Sequence, residues 1–69
     1  MKILRIREER IKRGWTQKHV GKLVGVQHTT IHAIETSRRK PSHDVLIKLE
    51  NLFGKSHREL LEPTDSNKH

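Results

Sequence analysis

A chain of 69 residues with no cysteine is limited to one domain with a core of about a dozen side chains, and disulfides and thiolate metal sites are excluded. Fifteen Lys and Arg against eight Asp and Glu give a formal net charge of +7, so a polyanion is the expected partner. Apolar runs of only two or three residues, and a basic start with no hydrophobic stretch behind it, argue against a membrane span or a secretory signal and predict a cytoplasmic protein.

The charge is unevenly placed. Residues 1–40 hold 11 basic side chains against Glu8, Glu9 and Glu35, a net +8, whereas residues 41–69 hold 4 against 5, a net −1. The N-terminal part is therefore the one expected to face an anion.

Hydrophobic spacing follows the helical period throughout, with no sustained alternation of the strand type, which predicts an all-α fold. The first helix is expected over about residues 2–13, with Ile3, Ile6 and Arg10 on one face, Ile11 beside them and Gly14 as the stop. Thr16 is a good N-cap for a helix from Gln17 to Val24. Gly25 can enter the left-handed region without steric cost, so the turn is read as Gly25 to Gln27. A third helix, about His28 to Thr36, would bury Ile31 and Ile34 and leave His28, Thr29, His32 and Ala33 outside.

A basic loop, Ser37 to Pro41, ends at a proline that bars further helix, and Ser42 caps a helix over about 43–53 with Asp44 in its first turn. Val45, Leu46, Leu49, Leu52 and Phe53 give that helix much of the core, and Gly54 closes it. Ser56 then caps a short fifth helix with Leu60 and Leu61, ended by Pro63. The domain is read as residues 1–62, and 63–69 as a polar, flexible tail.

Helices 2 and 3, joined by a three-residue turn, must cross closely. Val20, Val24, Val26, Ile31 and Ile34 are the inward positions of this pair. Gly21 sits in a helix interior, where it costs about 1 kcal/mol relative to alanine, so a close approach must require it.

Through Arg10, Trp15-Thr16-Gln17, Gly25-Val26, Ile31, Ile34-Glu35, Pro41-Ser42 and Leu60-Leu61, the sequence resembles the Cro and phage-repressor (Xre-type) helix-turn-helix family over about residues 3–62. The resemblance implies a compact five-helix, lambda-repressor-like domain that docks its third helix in the major groove of double-stranded DNA, usually as a symmetric dimer on a palindromic operator. It also implies a structural pair between Arg10 and Glu35, and a Gln17 that donates to a phosphate and braces the recognition helix. The chain departs from the family in six places. Thr36-Ser37 stands where many relatives have Asn-Gly, and Gln27 replaces a hydroxyl cap. His43, Glu50, Lys55 and His57 stand at positions that are commonly apolar, and Gln27, a poorer cap, is free to reach toward DNA.

On this docking, Gln27, His28 and Thr29 at the start of helix 3 offer amide, imidazole and hydroxyl groups to base edges, and His32 and Ala33 follow one turn later. Gln17, Thr36, Arg38, Arg39 and Lys40 are the expected contacts to the DNA backbone. His28 and His32 have the i, i+4 spacing of a metal pair, but no carboxylate or cysteine is close enough in sequence to complete a site, so no metal and no cofactor are expected. With no cysteine nucleophile, phosphate-cradling glycine loop or paired carboxylates, an enzyme finds no support. The function predicted is a transcriptional regulator, a repressor by type, acting as a homodimer that forms in solution or only on DNA. The competing reading is an antitoxin-like module whose main role is to bind a partner protein. The expected dimer surface runs from the end of helix 4 through helix 5, over Leu52, Lys55, Leu60 and Leu61.

Overall fold

Three of the helices start on a hydroxyl, as the sequence leads one to expect. In the computed structural model, which describes residues 3–64, the chain forms α1 (Arg5–Lys12), α2 (Gln17–Val24), α3 (His28–Glu35), α4 (His43–Phe53) and α5 (His57–Leu60). The Thr16, Ser42 and Ser56 side chains accept from the backbone N–H of His19, Val45 and Glu59, which satisfies amides that the first turn leaves without partners. Gly25 and Gly54 end α2 and α4 at φ +83° and +68°. These are left-handed conformations in which a Cβ would be strained.

α1 begins later than its periodicity suggests, because tertiary contacts set its start. Leu4 is extended and its side chain makes no cap. Its N–H donates to the Glu35 carbonyl at 2.9 Å, and it forms an antiparallel bridge with Pro63. Arg5 N–H donates to the Glu62 carbonyl and Thr64 N–H to the Ile3 carbonyl, both at 2.8 Å. Pro63 and Thr64, assigned to the tail on composition, thus pair with the N-terminal segment. The remainder of that tail, 65–69, and the expected helical position 2 lie outside the described residues.

Leu4, Ile6, Val20, Val24, Ile31, Leu49, Phe53 and Leu60 form the buried core, with Trp15, Val26, Val45, Leu52 and Leu61 packed against it. Each fully buried aliphatic side chain contributes about 1.5–3 kcal/mol relative to an exposed one. Ile34 is also buried, but Ile11, expected on the inner face of α1, is 48% exposed. It lies one residue, about 100° of helix, beyond Arg10, and the inner stripe of α1 continues from Ile6 through polar groups instead.

Those groups are fully engaged. Glu9 is buried and accepts from Arg13 Nη1 at 2.7 Å, with Lys12 Nζ at 3.5 Å. Arg13 also donates to the Phe53 carbonyl at 3.0 Å, and its guanidinium lies over the Phe53 and Trp15 rings. The Arg13 hydrogen bond holds the Glu9 carboxyl below the usual carboxylate range, against the opposing effect of burial, with Lys12 and Lys55 assisting. One arginine therefore ties the end of α1 to the end of α4. Glu50 and His57, two of the departures at commonly apolar positions, join α4 to α5. Glu50 Oε2 accepts from the His57 N–H at 2.6 Å and lies 2.8 Å from its Nδ1. These His57 contacts lower the Glu50 pKa.

α3 ends one residue earlier than expected, with Thr36 as C-cap. Ser37 N–H donates to the Ile34 carbonyl at 3.2 Å and Arg38 N–H to the Ala33 carbonyl at 2.8 Å. This is the Schellman pattern, with Ser37 at φ 64° in the position usually given to glycine. A left-handed L-residue costs about 1–2 kcal/mol, and glycine returns part of that as unfolded-state entropy. Ser37→Gly is therefore expected to stabilise the fold by about 0.5 kcal/mol, a rise of a few degrees in Tm. Thermal and urea unfolding check this, and a less stable variant would mean that the serine side chain outweighs its backbone strain.

Candidate nucleic-acid interface

α2 and α3 pack directly against each other, and Gly21 makes their spacing possible. A Cβ on Gly21 would stand 2.5 Å from the Val26 carbonyl oxygen and 3.3 Å from the Gln27 carbonyl carbon. These are backbone atoms of the turn, with no rotamer to move away. Gly25 and Val26 N–H groups both donate to the Gly21 carbonyl at 2.8 Å, which closes α2 and starts the turn. α3 then leaves at a fixed angle, with Ile31 and Ile34 fully inward.

The opposite face of α3 is open. Gln27, His28, Thr29 and His32 are exposed, and Ala33 is half-buried. Gln27 stands at the N-cap without a side-chain cap bond, so its amide is available to a ligand. Arg38, Arg39 and Lys40 are exposed directly after α3. By contrast Arg5, Arg10, Lys12 and Arg13 are in ion pairs with Glu62, Glu35 or Glu9. Among the described residues, the cations of the 38–40 loop have no such acidic partner, and neither do Lys18 and Lys22 on the exposed side of α2. Five unpaired cations therefore flank α2 and α3; Arg7, Lys48, Lys55 and Arg58, on or beside the other helices, are likewise in no ion pair. Sequence reasoning counted Lys18 and Lys22 only toward net charge; their places at the second and sixth positions of α2, off its buried stripe, were the available signal.

Two of the residues expected at the DNA backbone have their side chains engaged within the protein. Thr36 is buried, and its hydroxyl donates to the His32 carbonyl at 2.9 Å. Its side chain closes α3 and is not placed to meet a phosphate. Gln17 braces α3 as the resemblance implies, through its side chain: its Nε2 lies 3.0 Å from Glu35 Oε1 and 3.3 Å from His32 Nδ1, so it bridges the start of α2 to the outer edge of α3.

Arg10 and Glu35 meet as the resemblance implies. Arg10 Nε donates to Glu35 Oε2 at 2.6 Å and Nη2 to Oε1 at 3.2 Å, while Nη1 donates to the Trp15 carbonyl at 2.8 Å. Glu35 is 1% exposed. A planar guanidinium on a buried carboxylate gives two parallel charge-assisted bonds, and with Gln17 they fix α3 against α1 and α2. No buried side-chain N or O atom among the described residues lacks a partner. His28 and His32 are joined by no third possible ligand, since no group of three His, Asp or Glu side chains stands together among the described residues. Nor is any helix there long and apolar enough to cross a membrane.

The profile of the helix-turn-helix family matches residues 6–60, nearly the whole of this arrangement. The chain belongs to the Cro/C1-type helix-turn-helix family. Its members are DNA-binding transcriptional regulators. The fold is similar to that of the P22 c2 repressor solved with a synthetic operator, with TM-score 0.77, 35% identity, and 83% of this chain and 86% of that one covered. The solution structure of the same repressor's DNA-binding domain gives TM-score 0.72 at 32% identity, covering 94% and 86%. The restriction-modification controller protein C.AhdI from Aeromonas hydrophila gives TM-score 0.71 at 28% identity, covering 83% and 86%. No curated protein is significantly similar in sequence. As a family member, the chain has its two interhelical devices, Gly21 and the Arg10–Glu35 pair, within the matched span.

The leucines of the expected dimer surface differ in exposure. Leu60 is fully buried, and Leu52 and Leu61 are packed on the core. Leu60 is thus a core residue, while Leu52 and Leu61 are half-buried and keep part of their apolar surface at the exterior.

Proposed function

We propose that the protein is a sequence-specific repressor that places α3 in the major groove of a palindromic operator as a homodimer. The observation that carries this reading is the asymmetry of α3: Ile31 and Ile34 are buried while Gln27, His28, Thr29 and His32 are exposed beside unpaired cations. A helix that turns hydrogen-bonding side chains outward, held rigid from behind and flanked by positive charge, fits the width of the major groove. Gln27, an amide with a donor and an acceptor, suits adenine. Thr29 offers a hydroxyl and a methyl, His28 an imidazole, and Ala33 a methyl surface for a thymine methyl. Arg38, Arg39 and Lys40 meet phosphates beside the groove. Gln17, its amide engaged, presents its backbone N–H at the start of α2 to another. That a relative at 35% identity was solved with a synthetic operator supports DNA as the ligand. A single domain of this size reads only a few base pairs, and two on half-sites one helical turn apart gain length and avidity.

Alanine variants separate the two kinds of contact. Arg38→Ala or Lys40→Ala is expected to weaken binding to every duplex alike and to reduce the salt slope by about one unit each. Gln27→Ala or Thr29→Ala is expected to relax preference at particular base pairs by about 1–3 kcal/mol each. Titrations of operator and scrambled duplex at several salt concentrations read both effects, and the reverse pattern would place the helix otherwise.

A further inference from the structure

The contact between Gln17 and His32 has a chemical consequence that ordinary bracing does not require. Glu35 is a buried carboxylate already holding Arg10, and an ionised carboxylate can only accept. The end of the Gln17 amide facing it at 3.0 Å must then be the NH2 group, so the amide cannot turn over. The second hydrogen of the same NH2 faces His32 Nδ1 at 3.3 Å. Nδ1 must therefore be the acceptor, and a neutral imidazole with an accepting Nδ1 carries its proton on Nε2. The ring is exposed, and among the described residues Nε2 has no protein partner.

We propose that Gln17 is a positioning residue that sets the tautomer of His32, so that His32 presents a donor, Nε2–H, to the DNA and reads guanine. A lone donor matches guanine, whose major-groove edge has two acceptors, N7 and O6. Adenine places an N6 amino donor beside its N7, thymine offers the single acceptor O4 beside its methyl, and cytosine offers only a donor, so guanine is the base that gives a donor two adjacent acceptors. The chain of control runs from Arg10 to Glu35 to Gln17 to His32, so the pair that holds α3 also sets what one of its side chains recognises. This inference rests on the groove docking proposed above.

Two measurements separate the relay from the docking. The first is the long-range nitrogen–proton correlation spectrum of the His32 ring in the free protein, which distinguishes a protonated from an unprotonated ring nitrogen and involves no DNA. The neutral wild-type ring is expected to be Nε2–H. Gln17→Met, which keeps the side-chain volume but removes both donors, is expected to give a mixture of tautomers.

The second is binding to a duplex chosen by wild-type protein from a random pool. His32→Ala and Gln17→Met are each expected to lose about five- to tenfold of discrimination, the worth of one hydrogen bond, at the same guanine. Replacing that guanine with 7-deazaguanine is expected to weaken wild-type binding and to leave His32→Ala unchanged. An Nδ1–H ring in wild type would overturn the relay even if operator preference were intact. The correct tautomer with the two variants acting at different base pairs would overturn the reading of guanine, and no effect of the deaza base would overturn contact at N7. A correct tautomer in a protein that prefers no sequence would overturn that reading together with the docking on which it rests.

Discussion

Arg10→Ala is expected to lower the unfolding free energy by about 3–5 kcal/mol, because it strands the Glu35 carboxylate in the interior. Glu35 is 1% exposed and loses both bonds from the guanidinium, which leaves only Gln17. The Trp15 carbonyl loses its donor as well. A domain of this size is typically stable by about 3–10 kcal/mol, so a large fraction of the variant is expected to be unfolded at room temperature. The pair itself need not be a net source of stability. Removing both charges together, as in Arg10→Met with Glu35→Leu, is expected to recover most of the loss, since no charge is then left buried alone. Urea unfolding followed by circular dichroism measures both. A loss below about 1 kcal/mol for Arg10→Ala would show the pair behaving as a surface contact.

Gly21→Ala is the second large expected effect, and it strikes the geometry of α2 and α3 more than the burial of either. Alanine is the better helix former by about 1 kcal/mol, so propensity alone would make the variant more stable. The new methyl would stand 2.5 Å from the Val26 carbonyl oxygen, and a backbone atom can yield only if the turn and the start of α3 shift. Overpacking costs about 1–3 kcal/mol where side chains can adjust. With backbone on the other side, the upper end of that range applies, for a net loss of about 2 kcal/mol. DNA affinity is expected to fall further than stability, because Gln27 and His28 begin at the displaced turn. A variant as stable as wild type, with unchanged affinity, would contradict the close approach at Gly21.

What was legible in the sequence and what was not divide along the range of the interactions. Thr16, Gly25, Ser42, Gly54 and Ser56 act on amides and carbonyls a few residues away, so residue type alone marked the ends of α2, α4 and α5. The outward face of α3 followed from its period, and the Arg10–Glu35 pair from family resemblance. The start of α1 is set by hydrogen bonds from Leu4 to Glu35 and from Arg5 to Glu62, partners far along the chain that no local signal reveals. The same distance hid the bond from Arg13 to the Phe53 carbonyl. Thr36 read as a phosphate contact from its position after α3, but a threonine hydroxyl can also bond back to a carbonyl three or four residues earlier. Here it does, at His32. Gln27, whose amide makes no cap bond, shows the reverse: a residue unfavourable for the helix end is left with its polar group free for another partner.

The measurement that tests the central claim most directly is selection of bound sites from a random duplex pool at about 150 mM salt, followed by comparison of the winning sequence with scrambled DNA. A palindromic winner, with half-sites about one helical turn apart and preferred by about a thousandfold or more, is the result expected of a dimer reading the groove with α3. No enriched sequence, with only weak and salt-sensitive binding, would contradict it and leave the basic face as a nonspecific surface.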